Sequence, residues 1–243
     1  MNVRFFRLTT WVAVGHAVAA ALLWAFLSVP ESSVAMLALS ALTLAACALV
    51  AGLTDTTAIR AAAGEVGWRA ALLHGLRRWP AFLVGLALFL AAWWLTGRVF
   101  GWHQAHRGEI DAWLLLHFRW SRTAWLHTGF TGVLTLARWP LGALVALGAT
   151  TAVVLNGWRD LAGLRWIRAA SGWRPLAAAL AAFLACFWGP WQVVYWRPGS
   201  LPSTWIEPAF AGAKILVLYA WAHVGWAWLL RTLSVRLFRP PAA

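Results

Sequence analysis

Six long apolar stretches alternate with short polar or arginine-containing stretches along the chain. A helix that crosses the hydrocarbon core of a bilayer takes about 20 residues, at a rise of about 1.5 Å per residue. The pattern therefore predicts an all-α, polytopic membrane protein that forms a single transmembrane domain over residues 1–243. The six predicted spans are Leu8–Val29, Ser33–Leu53, Pro80–Thr96, Trp139–Leu155, Pro175–Trp196 and Pro208–Leu230.

The longest connection between predicted spans is Gly97–Ala137, which contains two apolar pieces separated by Arg119 and Arg122. Amphipathic segments of this kind lie in the interface between headgroups and acyl chains. We expect one or two helices here that lie on the outer surface of the membrane, because a seventh span would place the two termini on opposite sides of it.

Three predicted spans begin with a similar triplet. Proline is favoured in the first helical turn, and arginine and tryptophan suit the headgroup level. The triplets therefore predict the points at which helices enter the membrane, the alternative being coincidence in a chain with 21 tryptophans. They are Arg78-Trp79-Pro80, Arg138-Trp139-Pro140 and Trp173-Arg174-Pro175.

Composition supports the membrane assignment and adds an orientation. The chain is 62% apolar and 11% charged, whereas soluble domains are about 45–50% apolar and 25% charged. Its net charge of +13 comes from bases that lie almost all between the predicted spans, so the sequence predicts anionic headgroups, and no nucleic acid, as partners. More arginines lie on the side of the membrane that holds the N-terminus than on the opposite side. This predicts cytoplasmic termini in a bacterial-type inner membrane.

Titratable residues cluster in the long connection. His103, His106 and Glu109 follow one another at intervals of three residues, so neighbouring members would share a helical face, and imidazole with carboxylate suits Zn²⁺. Gly101 and Gly108 bracket the cluster and favour a solvated loop instead.

Two histidines, His16 and His223, lie within predicted spans and at a similar depth. Ionisable residues in a bilayer are candidates for function, and a histidine pair at equal depth is a candidate for haem ligation. The alternative is a pair of neutral histidines in packed helices, and we predict no bound cofactor. Lys214 lies in the last predicted span, seven residues after Glu207, and is expected to extend toward the outer surface.

From about Pro80 onward the layout resembles the type 2 phosphatidic acid phosphatase superfamily. The matching features are Ile110-Asp111-Ala112-Trp113-Leu114, two further spans, Arg197-Pro198, and Pro202-Ser203 ahead of the last span. The resemblance implies a lipid phosphate phosphatase that acts at the outer face, with Arg197 as its candidate catalytic residue.

The chain departs from that family at its most specific positions. Pro190 stands where the family has lysine, and Thr204 and Trp205 replace glycine and the catalytic histidine. The segment Ser121–His127 comes one residue short of the third motif and precedes the others. Without a nucleophile and an acid, no phosphoryl enzyme can form.

These observations leave three hypotheses for function. The first is a non-catalytic membrane protein, acting as a scaffold, accessory subunit or lipid-organising factor, with a membrane-protein partner. The second is a small transporter or lipid translocator, for which Gly189-Pro190 in the fifth predicted span is a candidate helix break. The third is the phosphatase-like activity. We expect the first on the sequence alone.

Overall fold

The computed structural model describes residues 3–30, 32–64, 67–185 and 206–237, and within these ranges it contains helices and no strands. The helices follow the apolar stretches, separated by short turns. They are α1 Val3–Ser28, α2 Val34–Ala63, α3 Trp68–Arg78, α4 Pro80–Ala105, α5 Arg107–Phe118, α6 Ala124–Leu136, a π-helical segment Ala137–Leu141, α7 Gly142–Asn156, α8 Trp158–Ala162, α9 Arg165–Ala170, α10 Trp173–Phe183 and α11 Ile206–Leu237.

Five helices of the described ranges are long and apolar enough to cross a membrane: α1 from Arg4, α2, α4, α11, and the continuous helix Ala124–Asn156 formed by α6, the π-helical segment and α7. This confirms the all-α, polytopic membrane fold. The predicted span Pro175–Trp196 starts in α10, and its second half lies outside the described residues. The orientation of the termini stays a prediction from charge.

Large apolar side chains cover the outside of the bundle. Val34 is 85% exposed, Leu116 79% and Trp24 74%. Soluble monomers rarely expose continuous apolar surface of this kind, whereas a lipid environment solvates it without cost. The surface therefore agrees with an integral membrane protein.

Two of the three triplets mark helix starts. Pro80 is in the first turn of α4, directly after α3 ends, and α10 begins at Trp173. Pro140, in contrast, lies inside the helix Ala124–Asn156. Proline lacks an N–H and its ring clashes with the carbonyl four residues earlier, and a π-helical turn with an additional residue accommodates both effects.

Arg138 is half-buried and contacts the neighbouring helix α4. Its Nε donates a hydrogen bond to Thr96 Oγ1 at 3.1 Å, and its guanidinium lies 4.5 Å from the centre of the Trp93 ring. The arginine therefore holds the π-helical segment against α4.

The long connection is more helical than the sequence indicated. α4 continues past Thr96 to Ala105, through the segment expected to be a loop. α5 is a separate short helix, whereas α6 is continuous with the span that contains α7. α5 is therefore a short helix of its own in this connection, and its place on the membrane surface stays a prediction.

The helices pack through small residues. α1, α2 and α11 share a buried core, which includes Val12, Ile59 and Leu230. α4 packs on α7 where Gly85 approaches the Thr150 hydroxyl, and a Cβ atom at Gly85 would lie 2.8 Å from the Ala146 carbonyl oxygen. Membrane helices approach closely at such residues because no hydrophobic effect drives them together in lipid.

Candidate functional site

Three ionisable side chains from three helices form a hydrogen-bonded chain, which we call the mid-membrane network: Asp55 of α2, His16 of α1 and His223 of α11. His16 Nε2 lies 3.3 Å from Asp55 Oδ1, and His16 Nδ1 lies 3.2 Å from His223 Nε2. His16 and His223 are each near the midpoint of their helix. These two members therefore lie near the middle of their spans, whereas Asp55 lies in the last third of α2.

Neighbouring groups fix the two ends of the mid-membrane network. Trp226 Nε1 donates a hydrogen bond to Asp55 Oδ1 at 3.2 Å. His223 Nδ1 lies 2.7 Å from the Tyr219 carbonyl oxygen, one turn earlier in α11. The Asp55 side chain is 4% exposed and that of His16 is 24% exposed. These contacts place a carboxylate among apolar helices, where burial of an unpaired charge is costly.

The contacts set how many protons the mid-membrane network needs for each of them to be a hydrogen bond. A carbonyl oxygen only accepts, so His223 Nδ1 donates to Tyr219. One proton is then needed between the two imidazoles and another between His16 and Asp55. The three contacts therefore require three protons in total. Two neutral imidazoles supply only two of the three protons. The network is complete when it holds one additional proton, which balances the carboxylate charge.

A cavity of about 270 Å³ adjoins the mid-membrane network, with Asp55 and Trp226 in its wall. The rest of its lining comes mainly from α4, the π-helical segment, α7 and α10, and is almost entirely apolar. The carboxylate therefore lies between a pair of histidines on one side and an apolar space on the other.

A second chain of the same composition, which we call the helix-end network, lies near the end of α4. It consists of Asp111 of α5, His127 of α6 and His103 of α4. His127 Nε2 lies 2.7 Å from Asp111 Oδ1, and His127 Nδ1 lies 3.0 Å from His103 Nε2. His103 stacks on Phe130, with the ring centres 4.2 Å apart.

The helix-end network is complete with neutral imidazoles. His127 donates to Asp111, and His103 donates to His127, so each ring needs only one proton. The remaining nitrogen, His103 Nδ1, is buried and has no hydrogen-bond partner. The two networks thus share their composition but differ by one proton.

The sequence-predicted metal residues are not brought together as one group. His103 belongs to the helix-end network, whereas the His106 ring stacks on Trp102 and its Nδ1 lies 2.9 Å from the Trp102 carbonyl oxygen. Glu109 is an exposed residue of α5. Across the described ranges, no group of three histidine, cysteine, aspartate or glutamate side chains is arranged to hold a metal ion.

His16 and His223 do meet, as their similar depth in the sequence predicted. Axial haem ligands approach the iron from opposite faces of the macrocycle, whereas these imidazoles hydrogen-bond directly to each other. The pair in this arrangement does not fit a haem between the rings.

Other predicted site residues fall elsewhere. Arg197 lies outside the described residues, as do Gly189 and Pro190, so the phosphatase-like resemblance stays a prediction. Lys214 Nζ lies 5.3 Å from the centre of the Phe210 ring, within α11. No protein-family model matches the chain, and neither a curated protein nor a solved structure shows significant similarity to it.

Sequence reasoning missed Asp55, because the second span was predicted to end two residues before it. A signal was present in Thr54-Asp55-Thr56-Thr57. Threonine in a helix can bond to the carbonyl four residues earlier, as Thr56 Oγ1 does to Gly52 at 2.7 Å. A polar stretch of this composition can therefore continue a span.

Acid is expected to weaken the helix-end network at Asp111. Hydrogen bonds from His127 and from the Thr123 hydroxyl lower the pKa of Asp111. A carboxylate whose pKa is lowered by folding contributes stability above its ordinary pKa of about 3.9, and this contribution is lost as the pH falls through the folded value. The melting temperature of wild type should exceed that of Asp111→Asn at neutral pH, and the difference should shrink below about pH 4.

Glu109→Gln is the matched control for this measurement, because it removes an exposed carboxylate from the same helix. Its difference from wild type should remain small throughout the titration. A difference between wild type and Asp111→Asn that does not change with pH would contradict the assigned role of Asp111.

Proposed function

We propose that this integral membrane protein is a small transporter that carries protons across the membrane through the mid-membrane network. The observation that carries the proposal is the hydrogen-bonded chain Asp55, His16 and His223, whose two histidines lie near the middle of their spans. Chains of aspartate and histidine serve as proton relays in pumps and transporters. Coupling-ion sites of secondary transporters lie near the bilayer midplane.

The proton count supports the proposal further. The complete network holds one proton more than two neutral imidazoles supply. Release of this additional proton leaves a negative charge among apolar helices. Because His16 and His223 belong to different helices, a change in their contact would alter the proton affinity of Asp55. Scaffolding alone does not require such a group.

Proton flux into liposomes tests the proposal. The purified protein is reconstituted with a pH-sensitive dye inside, and a potassium diffusion potential, negative inside, is imposed with no organic ligand present. We expect acidification that exceeds that of protein-free liposomes. Asp55→Asn keeps the size of the side chain but removes its charge, and should lower the flux to the protein-free level.

His16→Gln is a second variant, since it interrupts the chain without touching the carboxylate, and it should also reduce the flux. Glu109→Gln removes an exposed carboxylate outside the spans and should transport as wild type does. Gel filtration establishes that each variant is folded before reconstitution. Wild-type flux equal to that of empty liposomes would overturn the proposal.

A further inference from the structure

We propose that the cavity beside Asp55 binds a small hydrophobic cation, which competes with the proton for the Asp55 carboxylate. This inference rests on the proposed transporter function and names the substrate class of the same site. It follows from three features of the cavity: its aromatic lining, its single carboxylate, and the proton count of the mid-membrane network.

Aromatic rings from several elements line the cavity. The faces of such rings carry partial negative charge, and cages of them bind quaternary ammonium groups. The rings belong to α4, the π-helical segment, α10 and α11, so four different elements contribute them. They are Phe82, Phe89, Trp139, Phe183 and Trp226.

Asp55 is the one ionisable residue among the described residues that line the cavity. The titratable groups of the mid-membrane network on its side of the bundle are His16 from α1, which contacts Asp55, and His223 from α11, which contacts His16. α4, α7 and α10 contribute apolar residues and Thr150, whose hydroxyl is already bonded to the Ala146 and Ala81 carbonyl oxygens at 2.9 and 3.3 Å. The polar chemistry offered to a ligand is therefore that of a carboxylate.

Charge balance selects a cation over other ligands. With its additional proton the mid-membrane network is neutral, and without that proton it carries one negative charge. A buried charge without a partner is strongly unfavourable. A cation in the cavity would neutralise this negative charge, as the additional proton does. An anion would increase the unfavourable free energy of the buried charge, and an uncharged molecule would not reduce it.

The volume limits the size of the ligand. Binding sites for drug-sized molecules measure about 300–1,000 Å³, so a cavity of about 270 Å³ suits a compact molecule with one ring or a few methyl groups. Benzyltrimethylammonium has this size, and its charge does not change with pH. Its uncharged isostere, neopentylbenzene, has the same shape and separates the effect of charge from that of apolar filling.

Isothermal titration calorimetry on the purified full-length protein in detergent tests the inference with these two probes. We expect benzyltrimethylammonium to bind more tightly than neopentylbenzene by at least about tenfold, equivalent to about 1.4 kcal/mol. Repeating the titration in buffers of different ionisation enthalpy counts the protons released. One proton should leave for each ammonium bound, and binding should weaken as the pH falls.

Two variants locate the site. Asp55→Asn should remove the preference for the ammonium and the proton release, but leave neopentylbenzene binding. Ala143→Phe fills the cavity from α7, a helix that contributes no member of the mid-membrane network, and should abolish binding of both probes. It is the second test if Asp55→Asn does not fold.

Equal affinity for the two probes, or ammonium binding that survives Ala143→Phe, would overturn the inference. These outcomes are distinct from failure of the proposed function. Proton flux in liposomes without ammonium binding would contradict only the substrate class, whereas ammonium binding without proton flux would contradict only the transport role.

Discussion

Replacement of His16 by leucine is expected to lower the free energy of unfolding by about 3–5 kcal/mol, because it leaves the buried Asp55 carboxylate without its imidazole partner. The Asp55 side chain is 4% exposed, so little solvent reaches the carboxylate to replace the lost hydrogen bond. Trp226 remains as one donor, and the carboxylate would have to bind a proton. Denaturant unfolding in mixed micelles measures the change.

Removal of the whole network should have the opposite outcome. Replacing Asp55 by leucine and both histidines by methionine exchanges a buried polar chain for apolar side chains, which is often neutral or stabilising. We expect this triple variant to unfold within about 1 kcal/mol of wild type, yet to carry no protons in the liposome assay. Stability without transport would separate the functional role of the network from a structural one.

The matched control for both variants is Glu109→Gln, an exposed change that should alter stability by less than about 0.5 kcal/mol. If His16→Leu lowered the free energy of unfolding as little as this control, His16 would not be needed to stabilise the buried Asp55 carboxylate. If the triple variant failed to fold, the network would be required for the architecture itself.

The second large effect is expected at Gly85, where α4 crosses α7. Leucine at this position would meet the Thr150 hydroxyl and the Ala146 carbonyl oxygen, which lies 2.8 Å from the position of a Cβ atom. The carbonyl is backbone and cannot rotate away, so the helices must separate. We expect Gly85→Leu to cost at least about 3 kcal/mol, the upper end for overpacked cores, measured by the same unfolding assay.

Gly101 provides the matched control on the same helix. No heavy atom lies within 4 Å of a Cβ atom built there, so Gly101→Leu should not lower stability, and the loss of an interior helical glycine should raise it by up to about 1 kcal/mol. Equal effects of the two substitutions would mean that close approach of α4 and α7 does not limit stability.

The sequence was sufficient to predict what depends on helix geometry alone. Apolar length predicted the membrane helices, and the uniform rise per residue predicted that His16 and His223 lie at one depth. It was insufficient for Asp55, because a carboxylate after an apolar run is as compatible with a loop as with a helix that continues. The partner of Asp55 is on another helix, and a single sequence does not specify which helices pack together.

The helix-end network illustrates the same limit. The sequence predicts His103 as a metal ligand, Asp111 as part of the phosphatase-like layout, and His127 only as the end of an imperfect motif. Their contact depends on α4, α5 and α6 converging across a connection that was expected to be a loop and surface helices. Proline at position 140 was similarly misleading, since its preference for a first turn is only one of the ways in which a helix accommodates it.

The π-helical segment sets the rotational phase of the helix Ala124–Asn156. His127 faces α4 through His103 at one end, and Thr150 faces α4 through Ala81 at the other. In an uninterrupted α-helix these two residues would be separated by about 140° around the axis, whereas one inserted residue reduces the angle to about 40°. The insertion at Ala137–Leu141 thus lets a single long helix keep the same face against α4 along its length.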